Sequence, residues 1–350
     1  MIAPIRPILS LTTGLAAVLC CSLAVAEPAA TPGQLLGSKQ TTYPDWFKDS
    51  FLELEEDIRE AAAEGRRLIV FFHQDNCPYC NALIERNLSQ KQIEEKIRRH
   101  YDVVALNLRG DRNVVSVDGA PYTEKDFARA LNIQFTPTLL FLDENGNLLL
   151  RLNGYVPPRE FEAALDYASG GTASRGLTFR EYSASVMPPG SSGDLNQASF
   201  FSGPPYDLGR TIDGDRPVAV FFEQKQCPAC DTLHREVLSD EDTVEILGLF
   251  QAVQLDMWSD QELITPSGEN TTAREWAQDL DIGYAPTIVL FSPAGKEIIR
   301  LEATFKRFHA QSVFDYVASG AFVGERDFQR YLTDRADRIR ATGQDVDIWK

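Results

Sequence analysis

The chain has almost no cysteine beyond what it pairs. Its 350 residues hold six. Two of these, Cys20 and Cys21, fall in an apolar leader, and the other four form two close pairs, Cys77/Cys80 and Cys227/Cys230. An exported domain held together by disulfides spreads its cysteines over long loops, and here none is left for that task. A pair three positions apart closes too small a loop to add much chain-entropy stabilisation, so the four are read as reactive. Positive charge is short as well: 34 Lys and Arg stand against 51 Asp and Glu, a net charge of −17. Such a surface repels nucleic acid and anionic lipid. Apolar and charged fractions are those of a globular protein, and nothing in them points to overall disorder or a multi-span membrane protein. Histidine is scarce, and His100, His234 and His309 share no spacing that would mark a ligand set; they are read as surface or packing residues.

The first 26 residues carry one charge, Arg6, followed by an apolar stretch from Ile8 to Val25 and the small-x-small end Ala24-Val25-Ala26. That order predicts a secretory signal peptide over 1–26 and an exported, periplasmic protein. An uncleaved N-terminus serving as a membrane anchor is the alternative. Cleavage takes the net charge from −17 to −18 and leaves four cysteines, all in the two pairs.

The mature chain is duplicated. Cys77 matches Cys227 at an offset of 150, and after one length change the offset is 149. In that register Val104 pairs with Val253, Leu131 with Leu280, Pro137 with Pro286, Gly146 with Gly295 and Phe179 with Phe328. A register shared this widely means two copies of one domain, expected over 40–186 and 203–342. The Gly/Pro/Ser-rich 187–202 reads as a linker. In the first copy, Leu52 to Ala63 is helical and amphipathic. Leu68 to Phe72 is a short buried strand, and a helix follows Cys80. Val103 to Leu108 is a strand. Tyr122 to Leu131 is a helix with Thr123 as its N-cap. Thr138 to Leu142 and Leu148 to Leu152 form a hairpin around Asn145-Gly146, and Arg159 to Ala168 is the closing helix. The fold class is α/β, with each copy a mixed sheet flanked by helices. Asp327 to Thr342 reads as a charged, solvated C-terminal helix. Phe127 and Trp276, at matching helix positions, belong to the core.

Each cysteine pair sits where an apolar strand turns into a helix, as Cys77-Pro78-Tyr79-Cys80 and Cys227-Pro228-Ala229-Cys230. Disulfide exchange needs a thiolate to attack and a second thiol near enough to resolve the mixed disulfide. At a helix start, backbone N–H groups and the helix dipole favour the thiolate. Cys77 and Cys227 are therefore the expected nucleophiles, and Cys80 and Cys230 the resolving thiols. Pro78 and Pro228 fit the first helical position. Thr136-Pro137-Thr138 and Ala285-Pro286-Thr287 stand at nearly equal distances from the two pairs. A cis bond before Pro137 and Pro286 would lay Thr136 and Ala285 beside the dithiols, ready to pair with an extended substrate chain. A four-cysteine zinc site is the rival reading, but 146 residues separate Cys80 from Cys227, against about 15–20 in ribbon-type sites. No metal and no cofactor is expected.

These residues resemble the thioredoxin superfamily, over essentially the whole mature chain, twice. The Phe-Phe strand leading into Cys-Pro-x-Cys is similar to exported thioredoxin-like proteins of the SoxW-like kind, and the Cys77–Cys80 tetrad resembles a glutaredoxin active site without implying a glutathione site. The resemblance implies an exported protein-disulfide oxidoreductase acting as a reductase, supplied by a membrane electron carrier of the DsbD/CcdA type. Its clients would be disulfide-bearing proteins, such as sulfur-oxidation or cytochrome-maturation proteins. Disulfide isomerase or oxidase is the alternative, and a non-catalytic binding or chaperone module the rival class. The chain departs from the family where a buried aspartate is usual, six residues before the nucleophile, because Phe71 and Phe221 stand there. Asn76 and Gln226 replace the usual Trp. His73 and Glu223, four residues before each nucleophile, are candidates for the proton relay, against a reading as solvent-facing turn residues.

Overall fold

The computed structural model describes residues 31–170, 176–186, 194–209, 216–303 and 305–349. The expected signal peptide and the first part of the expected linker, 187–193, lie outside the described residues.

Strand β1 (Leu35–Leu36) precedes the first copy. That copy runs α1 (Leu54–Ala63), β2 (Arg67–His73), α2 (Pro78–Ala82), α3 (Lys91–His100), β3 (Tyr101–Asn107), β4 (Asn113–Val115), β5 (Pro121–Thr123), α4 (Glu124–Ala130), β6 (Thr138–Leu142), β7 (Leu148–Asn153), α5 (Pro158–Ala168) and α6 (Phe179–Val186). The second opens with strand β8 (Tyr206–Asp207) where the first has α1, and then repeats the order as β9 (Val218–Glu223), α7 (Pro228–Leu233), α8 (Glu241–Leu247), β10 (Gln251–Asp256), β11 (Glu262–Ile264), β12 (Asn270–Thr272), α9 (Ala273–Asp279), β13 (Thr287–Phe291), β14 (Glu297–Leu301), α10 (Arg307–Ala318) and α11 (Phe328–Ala341). Strand β15 (Val346–Asp347) pairs in parallel with β1, tying the two ends of the described chain together.

Each copy is built on a four-stranded mixed sheet, β3-β2-β6-β7 and β10-β9-β13-β14. The central strand pairs in parallel with β3 or β10 and antiparallel with β6 or β13. Both central strands are buried along nearly their whole length, as a continuous apolar run requires of a strand covered on two faces. Alternation divides β2 between two cores. Leu68, Val70 and Phe72 join Leu54, Ile58 and Phe127 on the outer face, while Ile69 and Phe71 join Ile93, Ile97 and Phe161 on the inner face. In the second copy Val220 and Phe222 pack with Trp276 on the outer face.

The inner faces share one core. The cluster holding Phe71 and Phe161 also holds Phe221, Phe314 and the junction residues Phe135, Phe305 and Phe328. Phe135 stands 5.3 Å from Phe305 and 5.5 Å from Phe328, ring centre to ring centre. Asn153 of β7 donates to the Glu302 carboxylate beyond β14. Gly154, at φ 88°, sits so near the second copy that a Cβ there would lie 3.0 Å from the Ala303 side chain.

The helix expected after each cysteine pair is present and passes from α into π-helix at Leu83–Leu88 and His234–Leu238, a five-residue hydrogen-bond spacing that apolar periodicity does not reveal. Two expectations need correction. The C-terminal helix α11 is not solvated all round, since Phe328, Gln329, Tyr331, Leu332 and Ala336 are buried. Part of the expected linker is packed: Phe201 stands 5.0 Å from Phe221 and bridges to Ala252 beside β9.

Candidate active site

Both cysteine pairs are closed as disulfides, with Cα atoms 5.2 Å apart in each. Cys77 and Cys227 are the N-cap residues of α2 and α7, with extended backbone, and proline follows each as the first helical residue. Each first sulfur accepts the N–H of the second cysteine at 3.0 Å. The local sequence dictates this turn: extended strand, a break, then proline, whose fixed φ suits the helix and whose missing N–H would have had no helical partner. Asn76 and Gln226 make the break, holding φ of 59° and 57°. That left-handed geometry is uncommon for residues with a side chain, and Asn tolerates it better than Gln. Nothing in the spacing signals it.

The Thr136–Pro137 and Ala285–Pro286 bonds are cis. Their loops lie against the nucleophile positions. The Thr136 carbonyl is 3.5 Å from the Cys77 sulfur and its hydroxyl donates to that sulfur at 3.3 Å. The Ala285 carbonyl is 3.7 Å from the Cys227 sulfur. The structure thus brings together at each site the four residues singled out from sequence: two cysteines, the proline and the residue before it. A third cis bond, Pro204–Pro205, lies away from the cysteines in sequence and was not anticipated.

His73 and Glu223 end the central strands and are both buried, at 7% and 0% exposure. The turn-residue alternative is therefore overturned. Their surroundings differ. Burial pushes His73 down to about 4, and its Nδ1 shares a hydrogen bond with the Tyr43 hydroxyl. The Glu223 carboxylate accepts from Gln254 at 3.1 Å and pairs with His234 Nε2 at 2.8 Å. His234 directly follows α7, the helix that Cys227 caps, and it is tied to Glu223, where lack of a shared spacing had it read as a surface or packing residue. The corresponding residue in the first copy is Ile84, and that difference was the only signal available in the sequence.

Each dithiol is also faced by the other copy. The Tyr79 hydroxyl accepts the Lys306 N–H at 2.9 Å and bonds His309 Nδ1 at 3.1 Å. Its ring centre stands 4.8 Å from that of His309 and 5.3 Å from that of Trp349. Burial pushes the His309 imidazole down to about 3 and raises the Tyr79 phenol. His309, read as a surface or packing residue, is buried and packs across the two copies in this contact. Gln329 of α11 accepts from Gln74 at 3.0 Å and donates to the Gln134 carbonyl at 2.8 Å. At the second site a cavity of about 140 Å³ opens beside Cys227 and Ala229, with Glu160, Arg180 and Ser183 of the first copy on one side and Trp258 and Tyr284 on the other. Arg180 lies over Trp258 at 4.1 Å and donates to the Met257 carbonyl. Burial raises the Glu160 carboxyl.

Two four-stranded mixed sheets, each carrying a Cys-x-x-Cys disulfide at a strand-to-helix turn opposite a cis-proline, define a tandem protein of thioredoxin fold. The family description "Thioredoxin-like domain" matches residues 54–169 and 206–318, and the chain belongs to that family. No curated protein matches it. Among solved structures it is similar to a thioredoxin-fold protein from Helicobacter pylori, with 18% identity over 39% of this chain and 92% of that one and a TM-score of 0.30. It is also similar to a thioredoxin from Thermus thermophilus (26% identity, 35% of this chain, 91% of that one, TM-score 0.29). A third is the C-terminal domain of DsbD from Neisseria meningitidis in its reduced form (14% identity, 32% and 91%, TM-score 0.26).

Proposed function

We propose that the protein is an exported thiol–disulfide oxidoreductase that reduces disulfides in client proteins and is itself re-reduced by a membrane carrier of the DsbD/CcdA type. The observation that carries the exchange chemistry is the position of each first cysteine, capping a helix and set against the carbonyl of the residue before a cis-proline. In the reduced protein the thiolate of Cys77 or Cys227 attacks a client sulfur. A mixed disulfide forms, and the other client sulfur leaves as a thiolate that takes up a proton. Cys80 or Cys230, once deprotonated, then attacks its partner's sulfur and expels the second client thiol. The client gains two electrons and two protons, and the pair ends as the disulfide. The backbone at Thr136 and Ala285, beside the nucleophiles, offers main-chain groups to a client strand. Buried Glu223, paired with half-buried His234, is the group near the second turn that can receive the proton of the resolving thiol, and His73, bonded to half-buried Tyr43, is its counterpart in the first copy, where burial makes the imidazole a weaker acceptor. Export is supported by the charge and apolar order of residues 1–26.

The direction of exchange is set by potential, which falls as the thiolate of the reduced state is less stabilised. Redox titration of each pair in the full chain, with the other pair replaced by serine, tests it. A value near thioredoxin's, about −270 mV, is expected, and one near −120 mV would make the protein an oxidant.

A further inference from the structure

The two cysteine pairs match in sequence, but their surroundings are not alike. In the duplicated register the same elements of the opposite copy face each dithiol: α10 and α11 over the first, α5 and α6 over the second. His309 corresponds to Glu160, Gln329 to Arg180 and Leu332 to Ser183. What separates the sites is the third residue of the tetrad, Tyr79 against Ala229. Tyr79 is 4% exposed. Its ring fills the space between the turn and the second copy, held by Lys306, His309, Phe305 and Trp349. Ala229 leaves that space empty, as the cavity of about 140 Å³ beside Cys227. That cavity shares Arg180, Gly283 and Tyr284 with a larger one of about 530 Å³ running along the junction of the copies past Arg151 and Arg300. Pro228 is exposed where Pro78 is half-buried.

We propose that the dithiols divide their work by access. Cys227 meets the client, an extended polypeptide segment, in a cleft whose far wall is α6 of the first copy, while Cys77 is closed off by Tyr79 docked into the second copy. The inference rests on the exchange chemistry proposed above and adds to it the identity of the client-facing pair. A side chain of one or two residues fits the smaller cavity, and the larger one gives the flanking chain a path along the junction. The Ala285 carbonyl, before the cis-proline and 3.7 Å from the Cys227 sulfur, lines the same cavity and can receive the main chain. At the first site a client must displace a buried aromatic ring and its two hydrogen bonds before it reaches sulfur.

The test uses the full chain in Cys80→Ser and Cys230→Ser forms, which leave the attacking thiols and let mixed disulfides persist. Two probes are applied to the reduced protein. One is iodoacetamide; the other is a short extended peptide whose single cysteine is activated as its thionitrobenzoate disulfide. Attack on the peptide sulfur releases thionitrobenzoate, and peptide mapping by mass spectrometry assigns each adduct to its cysteine. The peptide is expected on Cys227 at least about tenfold faster than on Cys77, the effect of an opening step costing ~1.4 kcal/mol or more. Ala229→Tyr, which fills the cleft, should slow the peptide reaction at Cys227 about tenfold, and Tyr79→Ala should speed that at Cys77. Equal peptide rates at the two cysteines, or an Ala229→Tyr variant as fast as its parent, would overturn the division of access while leaving exchange chemistry standing. Cysteines that resist iodoacetamide as well would overturn the exchange reading itself.

Discussion

At the residue scale the site rests on a few atoms brought together by short-range rules. The sequence pattern of each tetrad, with proline following the first cysteine and a second proline before the next apolar strand, was enough to locate Cys77, Cys80, Cys227, Cys230, Pro137 and Pro286. These features are local, and the chemistry constrains their order. The buried polar groups were not legible in the same way. His73 and Glu223 end a strand, and whether such a residue faces water depends on what packs over it. Here Tyr43 and Phe201 with His234 come from distant or unremarkable stretches. His309 meets Tyr79 across 230 positions, beyond any spacing rule. These burials have a consequence for pH. A histidine free in the unfolded chain titrates at about 6.5, while in the fold His73 is pushed down to about 4 and His309 to about 3. The unfolded chain therefore binds more protons over that interval. Stability is fully present above about 6.5 and is lost as pH falls toward 4 and then 3, at up to ~1.4 kcal/mol per pH unit for each group. Urea midpoints across this range should fall with acidification, and His309→Gln should flatten the slope. An unchanged slope would mean that His309 is protonated in the fold.

At the element scale, strands and helices with strong periodicity were legible to within a residue or two. Strand Thr138–Leu142 stands as expected, and Thr123 caps the preceding helix α4 by accepting the Asp126 N–H. The Asn145-Gly146 hairpin turns with Gly146 at φ 82°, a conformation glycine adopts without the clash a Cβ brings. The π-helical stretches were not legible, because the same apolar residues serve either spacing. The short hairpin β4–β5 and the three-stranded sheet β12-β11-β8 were also missed, since three-residue strands carry no measurable alternation. Helix α9 offers a direct check on local encoding. Thr272 and Glu275 form a reciprocal capping box, each side chain bonding the other's backbone N–H. Thr272→Ala is expected to lower stability by about 1 kcal/mol in chemical denaturation, with cysteine reactivity unaltered. No loss would show that the packing of Trp276 alone holds the helix.

At the scale of the whole molecule, duplication was plain from the register, but a repeat offset says nothing about how two copies face one another. The structure answers with an inner core common to both, closed by Phe135, Phe305 and Phe328 and by the pairing of β1 with β15. Two copies joined this way should melt together. Calorimetry of the oxidised protein is expected to show one transition. Phe305→Ala, which removes a buried ring at the junction, should cost about 3–5 kcal/mol and separate the transition into two. Independent melting of the parent would contradict the shared core. The same junction makes each dithiol's surroundings a product of both halves, so substitutions near one pair are expected to alter reactivity at the other.

The central claim is that the two cysteine pairs exchange disulfides through Cys77 and Cys227. It is tested most directly by the rate at which the full chain reduces insulin with dithiothreitol as electron source. The parent should turn over well above the uncatalysed rate, and the Cys77→Ser/Cys227→Ser double variant should fall to that uncatalysed rate while keeping its fold. Undiminished turnover by the double variant would contradict the account.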